Sequence, residues 1–307
     1  MIIRTDELKE VCGVIGKAIS TSSKVPMSDV LLLSTDNDNK LCASISDGEF
    51  FVTTKIADCE EKFNAAIAAN TFLKLVLGST SETIELIQTQ SFLKVVGNGE
   101  YKIPFIADED ILPVKMSIES VTSSFDLNQA ILSSILDFNI KEIAKRSDGV
   151  SLQASQTLCY LDDCGAITFT SGACVNNFTI PEKISVLLTT KVIQLFRLFP
   201  ATAKCTVGTA IGTDGAECTR ISIVDDNTYL CTYIVSTETL MRGFPVSAIR
   251  KRANAEYPYE VTLDKELVLQ AVNRLLLFND FAKNKDAYYK MSFNNARVSI
   301  SSLTDSC

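Results

Sequence analysis

Ten cysteines are the strongest nucleophiles in this 307-residue sequence, which contains no histidine and no tryptophan. Without histidine there is no Ser-His-Asp triad, no Cys-His dyad and no imidazole ligand for zinc or iron. The cysteines are Cys12, Cys42, Cys59, Cys159, Cys164, Cys174, Cys205, Cys218, Cys231 and Cys307. No two form a C-x-x-C pair, and most alternate with apolar neighbours. They are expected to be free, buried, small hydrophobes in a reducing, intracellular protein. Cys159 and Cys164, the closest pair, bracket Asp162-Asp163 in an expected hairpin turn.

Other motifs with chemical potential fail on spacing. Gly13-Val-Ile-Gly16-Lys17 has the composition of a phosphate loop, but it lies inside a helical pattern and lacks the following Ser or Thr. Asp36-Asn-Asp-Asn-Lys40 begins like a calcium loop, yet Lys40 replaces a ligand and no glycine follows. No apolar run holds two acids at helical spacing, the pattern that general acid–base work favours. Arg250-Lys251-Arg252 fits a solvated linker, with a phosphate contact as the second reading. No catalytic constellation, metal site or cofactor is expected.

Composition is that of a globular chain, 46% hydrophobic and 21% charged. No run approaches the about 20 apolar residues of a membrane span. The start, Met1-Ile-Ile-Arg-Thr-Asp, is no signal peptide, so a soluble, unprocessed chain is expected. The net charge of −8, from 29 basic and 37 acidic residues, argues at face value against nucleic acid.

The elements that would position these residues repeat. Helical periodicity predicts helices over residues 5–19, 70–77, about 126–146, 189–199 and 263 to about 281. Asn70 and Asp126 are expected N-caps, and Asp6 with Glu7, or Asp264 with Glu266, place negative charge at positive helix ends. Helix starts recur every 55 to 75 residues or so. Between them lie alternating strands joined by turns at residues 36–39, 98–99, 162–165, 225–227 and 294–295. Each unit is a helix followed by an antiparallel meander. One unit cannot cover both faces of its sheet, so units should pair. Five units make two pairs and one unpaired unit. Boundaries are expected near 117–124 and 250–258, giving domains 1–118, 119–252 and a partial 253–307.

This order of repeats resembles the bacterial sliding clamp, the beta subunit of DNA polymerase III. Leu8 to Ile19, Lys24-Val-Pro26-Met, Val30-Leu-Leu-Leu and Lys40-Leu-Cys-Ala-Ser-Ile-Ser-Asp47 look like that family's opening. Phe169-Thr-Ser-Gly-Ala-Cys-Val175 is similar to its Ala-Thr-Asp-Gly-His-Arg-Leu segment, Arg242-Gly-Phe-Pro245 to its Gly-Arg-Phe-Pro, and Leu267 to Val298 to the start of its third domain. Two departures stand out. Ala173 and Cys174 replace the family's His and Arg, and the third domain stops after one helix and one hairpin, so a sixth unit is missing.

The resemblance implies an α+β fold of paired helix-plus-meander units, helices lining a ring and sheets outside. It implies a non-catalytic processivity factor that encircles double-stranded DNA without sequence preference and tethers the replicative polymerase. DNA polymerase and the clamp loader would dock through short clamp-binding peptides. The expected setting is cytoplasmic and nucleoid-associated, in a bacterial cell or a phage-infected host, with a head-to-tail homodimer if the third domain is complete. The alternatives are a non-catalytic structural or assembly protein built from the same repeat, and a Cys-dependent enzyme.

The five helical stretches, with the last extended to residue 285, carry a net charge of +3 and the remainder −11, the polarity of a basic lumen in an acidic shell. Lumen candidates for DNA contact are Lys17, Lys24, Lys74, Lys141, Lys145, Arg146, Lys191, Arg197 and Arg274. The partner-peptide cleft implied by the resemblance comprises Thr170, Gly172, Cys174, Val175, Pro245 and Ile249.

Overall fold

Apolar positions three and four apart build the first helix, and strict alternation builds the sheets it packs on. The computed structural model describes residues 1–22, 24–143, 154–169, 172–212, 215–277, 289–294 and 297–302. The chain forms two units, Met1–Ala253 and Asn254–Cys307.

In the first unit, β1 (Ile2–Arg4) runs straight into α1 (Thr5–Thr21), which buries Leu8, Val11, Cys12, Ile15 and Ala18 on one face. A meander follows: β2 (Val30–Thr35), β3 (Lys40–Ser46), β4 (Phe50–Asp58) and β5 (Asn64–Ala68). Next come α2 (Ala69–Leu77), β6 (Thr83–Gln88), β7 (Phe92–Val96) and β8 (Glu100–Pro104).

The pattern then restarts. β9 (Ser120–Leu127) leads into α3 (Gln129–Asp137), followed by β10 (Leu158–Asp162), β11 (Gly165–Phe169), β12 (Ala173–Asn177) and β13 (Ser185–Thr189). After α4 (Thr190–Leu195) come β14 (Ala203–Ile211), β15 (Glu217–Val224) and β16 (Thr228–Tyr233). Two short helices, α5 (Glu238–Gly243) and α6 (Val246–Ala253), close the unit.

Strand order exposes the internal symmetry. Two four-stranded antiparallel sheets run β1-β6-β7-β8 and β12-β11-β10-β13, and one eight-stranded sheet runs β5-β2-β3-β4-β16-β15-β14-β9. Each half of the large sheet repeats the order of one small sheet. The halves join where β4 pairs with β16, from Thr54↔Thr228 to Phe50↔Thr232. One continuous core of side chains from α1 to α4 and the inner sheet faces underlies the whole unit. Gly165 is required at its turn: φ is +137°, and a Cβ there would meet the Asn176 carbonyl at 2.1 Å.

The second unit consists of α7 (Lys265–Leu276), capped by the Asp264 side chain on the Leu267 N–H at 2.9 Å, and the hairpin β17 (Tyr289–Asn294) with β18 (Arg297–Ser302).

Several expectations are corrected. Asp126 is no helix cap: Phe125 and Leu127 are buried while Asp126 is outward, a strand alternation that places it in β9. The cap of α3 is Asn128, whose side chain accepts from the Ile131 N–H at 2.9 Å. Asn70 lies inside α2, after the N-cap Ala68. The stretch 117–124 is not an irregular linker throughout: from Ser120 it is β9, which pairs with β14 at the edge of the large sheet. Arg250-Lys251-Arg252 ends α6 and is not an irregular linker. No helix among the described residues is long and apolar enough to cross a membrane.

Candidate nucleic-acid interface and peptide groove

The helix candidates divide by what their cations already hold. Lys191, at the start of α4, donates to Asp47 at 2.5 Å and to Glu49, both in the turn between β3 and β4. The Asp47 side chain is 0% exposed and also accepts from the Glu49 and Phe50 N–H groups at 3.0 and 3.1 Å. A buried carboxylate of this kind needs a cation beside it. Arg197, in a 3-10 turn after α4, donates to the Lys17 carbonyl at 3.0 Å, the Ser20 hydroxyl at 2.7 Å and the Thr21 hydroxyl. The α1 C-terminus has no basic residue in its last turn, and Arg197 supplies one from another helix. Both side chains are half-buried structural links between the repeats.

Lys24, Lys74 and Lys141 are exposed and hold no ion pair among the described residues. Lys17 is exposed and donates to the Arg197 carbonyl at 3.2 Å. Arg274 is exposed in α7. Lys145 and Arg146 lie outside the described residues. The charge contrast read from the sequence also narrows. Within their observed bounds α1 to α4 carry Lys9, Lys17, Lys74 and Lys191 against Asp6, Glu7, Glu10 and Asp137. These four helices are therefore neutral, because α3 ends before Lys141 and α4 before Arg197, while α7 carries Lys265 and Arg274 against Glu266.

The groove candidates divide by strand period. On β12, Val175 faces Ile167 and joins an apolar cluster with Leu158, Leu187 and Phe244, against which Ile249 of α6 packs. Phe244 sits at its centre, edge-on to Phe169 at 5.1 Å and stacked on Tyr160 at 5.4 Å. Pro245 follows it, exposed, and Gly172 is exposed just before β12. Cys174, one residue from Val175, points to the other face, where the Asn139 Nδ2 lies 3.9 Å from its sulfur. A two-residue period cannot place both in one groove, so Cys174 is removed from it. Thr170 lies outside the described residues.

Reading by sequence missed Phe244, although the Arg242-Gly-Phe-Pro245 segment that contains it contributes Pro245 to the expected cleft. It also missed the anchor of α6: Arg250 donates to Asp162 at 2.5 Å, tying the helix to the β10–β11 turn. The carboxylates and thiol of Asp162, Asp163 and Cys164 cluster there, but the guanidinium already balances one acid.

The cysteines are poor nucleophiles where buried. Burial pushes the Cys12 and Cys159 thiols up to about 12. Burial, helped by the Asp36 charge, takes Cys42 up to about 11. Each raised thiol stays protonated at neutral pH, the reverse of nucleophile activation.

No protein-family model matches the sequence, and no curated protein does. Solved structures do. A putative DNA polymerase III beta subunit from Eubacterium rectale superposes with a TM-score of 0.73 at 15% identity, covering 97% of this chain and 79% of that one. The DNA polymerase sliding clamp of Caulobacter crescentus gives 0.72 at 16% identity, covering 98% and 80%. The DNA polymerase III beta subunit of Thermotoga maritima gives 0.68 at 14% identity, covering 99% and 83%. At these identities the likeness is one of architecture, and this chain has the α+β fold of the DNA polymerase III beta-subunit sliding clamps.

Proposed function

We propose that this protein is a sliding clamp, a non-catalytic processivity factor that encircles duplex DNA and tethers a polymerase. The observation that carries the reading is the repeat itself: two helix-plus-meander pairs, fused through the β4–β16 seam, in a chain whose fold superposes on about four fifths of the length of solved clamps. The division into clamp domains 1–118, 119–252 and 253–307 belongs to this reading. So do the head-to-tail homodimer, the clamp loader and polymerase as peptide-bearing partners, and a cytoplasmic, nucleoid-associated setting.

Processivity asks for a protein that cannot leave DNA yet moves along it. Topological closure gives the first property. Few, solvated cations facing phosphate give the second, because each tight phosphate contact adds counterion-release affinity and slows sliding. Lys17, Lys24, Lys74, Lys141 and Arg274 serve that role, with Lys145 and Arg146 as further sequence candidates. A balance of zero over α1 to α4 is compatible with it, since the acidic remainder keeps DNA from the outer surface. Partners dock a short extended peptide against the Val175, Ile249 and Pro245 side of the Phe244 cluster, through an apolar anchor.

The test is retention on closed and open DNA. Loaded by its clamp loader with ATP, the protein is expected to remain on a nicked circular plasmid through gel filtration and to be lost when that plasmid is linearised. Equal loss from both forms contradicts the proposal.

A further inference from the structure

Two strands of the first unit end their sheets on an open edge, and the seam inside the large sheet shows what each edge fits. Among the described residues β8 pairs with β7 alone and β12 with β11 alone. The order β1-β6-β7-β8 repeats β9-β14-β15-β16, so β8 stands in the place of β16. The order β12-β11-β10-β13 repeats β4-β3-β2-β5, so β12 stands in the place of β4. The two open edges are therefore of the same two kinds that the β4–β16 seam joins.

The registers carry this correspondence to single residues. Ile3 and Leu127 each lie two residues before the start of a helix, α1 or α3. Ile3 faces Ile84, and two residues on, Leu86 faces Val95, which faces Tyr101. Leu127 faces Ala203, and two residues on, Cys205 faces Ile223, which faces Leu230. Tyr101 is thus the counterpart of Leu230. Ala68 and Thr189 are the N-caps of α2 and α4 and face Val30 and Leu158. Two residues on, Leu32 leads through Ser44 to Thr53, and Tyr160 through Ile167 to Val175. Thr53 matches Val175, so Val52 matches Cys174. In the seam Leu230 lies opposite Val52.

The side chains of β8 suit a further strand. Tyr101 shares the inward face with the buried Ile103, yet it is 45% exposed, whereas Leu230, covered by β4, is 0% exposed. A strand added at this edge would take the ring out of water, as β4 does for Leu230. The charges of β8 lie on its outward face against β7: Glu100 pairs with Lys94 at 2.9 Å, and Lys102 lies over the Phe92 ring. Pro104, which has no N–H to give, is the counterpart of Tyr233, one residue past the last seam pair.

We infer that β8 of one copy of this chain adds to β12 of a second copy, antiparallel and in the register of the β4–β16 seam, with Tyr101 opposite Cys174 of the second copy. The two edges differ, so the contact is head-to-tail and repeats from copy to copy until a ring closes. The inference rests on the clamp reading and names the surface through which its copies meet.

Tyr101→Cys in the full chain tests it. Residues directly opposite in an antiparallel pair have Cα atoms about 4.5–5.5 Å apart, within reach of a disulfide. Oxidation with copper phenanthroline is expected to give a ladder of covalent oligomers on a non-reducing gel, ending at the number of copies in the ring. The ladder should fall at least about tenfold in Tyr101→Cys with Cys174→Ser and in the wild type. In sedimentation velocity Tyr101→Glu should weaken self-association at least about tenfold, since the contact would bury the added charge. A ladder no stronger than that of the double variant, or undiminished self-association of Tyr101→Glu, overturns the inference. Retention on circular DNA without the ladder overturns it too, and leaves the clamp reading standing with another closing surface. The ladder without retention supports the contact and counts against the clamp reading instead.

Discussion

Lys17 and Arg197 exchange hydrogen bonds: the Arg197 guanidinium donates to the Lys17 carbonyl at 3.0 Å, and the Lys17 ammonium donates to the Arg197 carbonyl at 3.2 Å. The two residues belong to different repeats, so the exchange clamps the end of α1 to the turn after α4. Arg197 therefore closes a helix terminus. Arg197→Ala should cost about 2 kcal/mol, the scale of a lost charged hydrogen-bond group at a helix C-terminus. Urea denaturation followed by circular dichroism checks this. A change within experimental error removes the link from the account.

Lys191 makes a stronger case. Removing it leaves Asp47 buried without its cation, and Lys191→Ala should cost about 3–5 kcal/mol. Combining it with Asp47→Asn should recover part of that loss, since the stranded charge goes with the carboxylate. A double-mutant cycle on unfolding free energies measures the coupling. Additive losses would show that the pair does not hold the seam. Charge reversal at Lys191 or Arg197 consequently reports on folding before it reports on DNA.

Alkaline pH should weaken the fold. Cys12 and Cys159 are held up to about 12 by burial, while the unfolded thiol ionises near 9.0. The folded state keeps protons that the unfolded state releases. Stability from these groups is thus complete below pH 9 and falls as pH rises from 9 towards 12, by about 1.4 kcal/mol per pH unit for each thiol at most. Denaturation midpoints between pH 8 and 11 check this. Cys12→Ala should flatten the decline, and an unchanged slope would count against thiol ionisation as its cause. In the native state iodoacetamide should label the exposed Cys164 well before Cys12.

The groove can be separated from the core beneath it. Val175→Glu and Ile249→Glu alter half-buried side chains and should abolish polymerase stimulation while leaving DNA retention intact. Phe244→Ala empties the centre between Tyr160 and Phe169 and should cost about 3–5 kcal/mol. Primer-extension length beside retention on circles distinguishes the two effects. Full stimulation by both glutamate variants would move the partner site elsewhere.

Much of the fold was legible in the sequence because its signals are local. The Leu8, Cys12, Ile15 stripe gave α1, and turn residues at 98–99 and 162–165 marked hairpins that the structure forms. Misreadings came where two periods overlapped. Phe125-Asp126-Leu127 belongs to a strand, yet Asp126 stands where a cap of the following helix would be expected. The site was less legible because charge alone does not show what a cation holds. Lys191 and Lys74 look alike in sequence, and only the fold brings Asp47 to the first and leaves the second exposed. Likewise, no one-dimensional pattern shows that Cys174 and Val175 serve opposite faces until β12 is known to be a strand.

The central claim rests on topology, and retention on circular versus linear DNA measures it most directly. The account predicts that the loaded wild-type protein stays on nicked circles at physiological salt and is lost from linear ends. Lys24→Glu with Lys74→Glu and Lys141→Glu should reduce loading and lower the salt dependence by about one unit per phosphate contact removed. Loss at equal rates from circles and linear DNA, with loader and ATP present, would contradict the account.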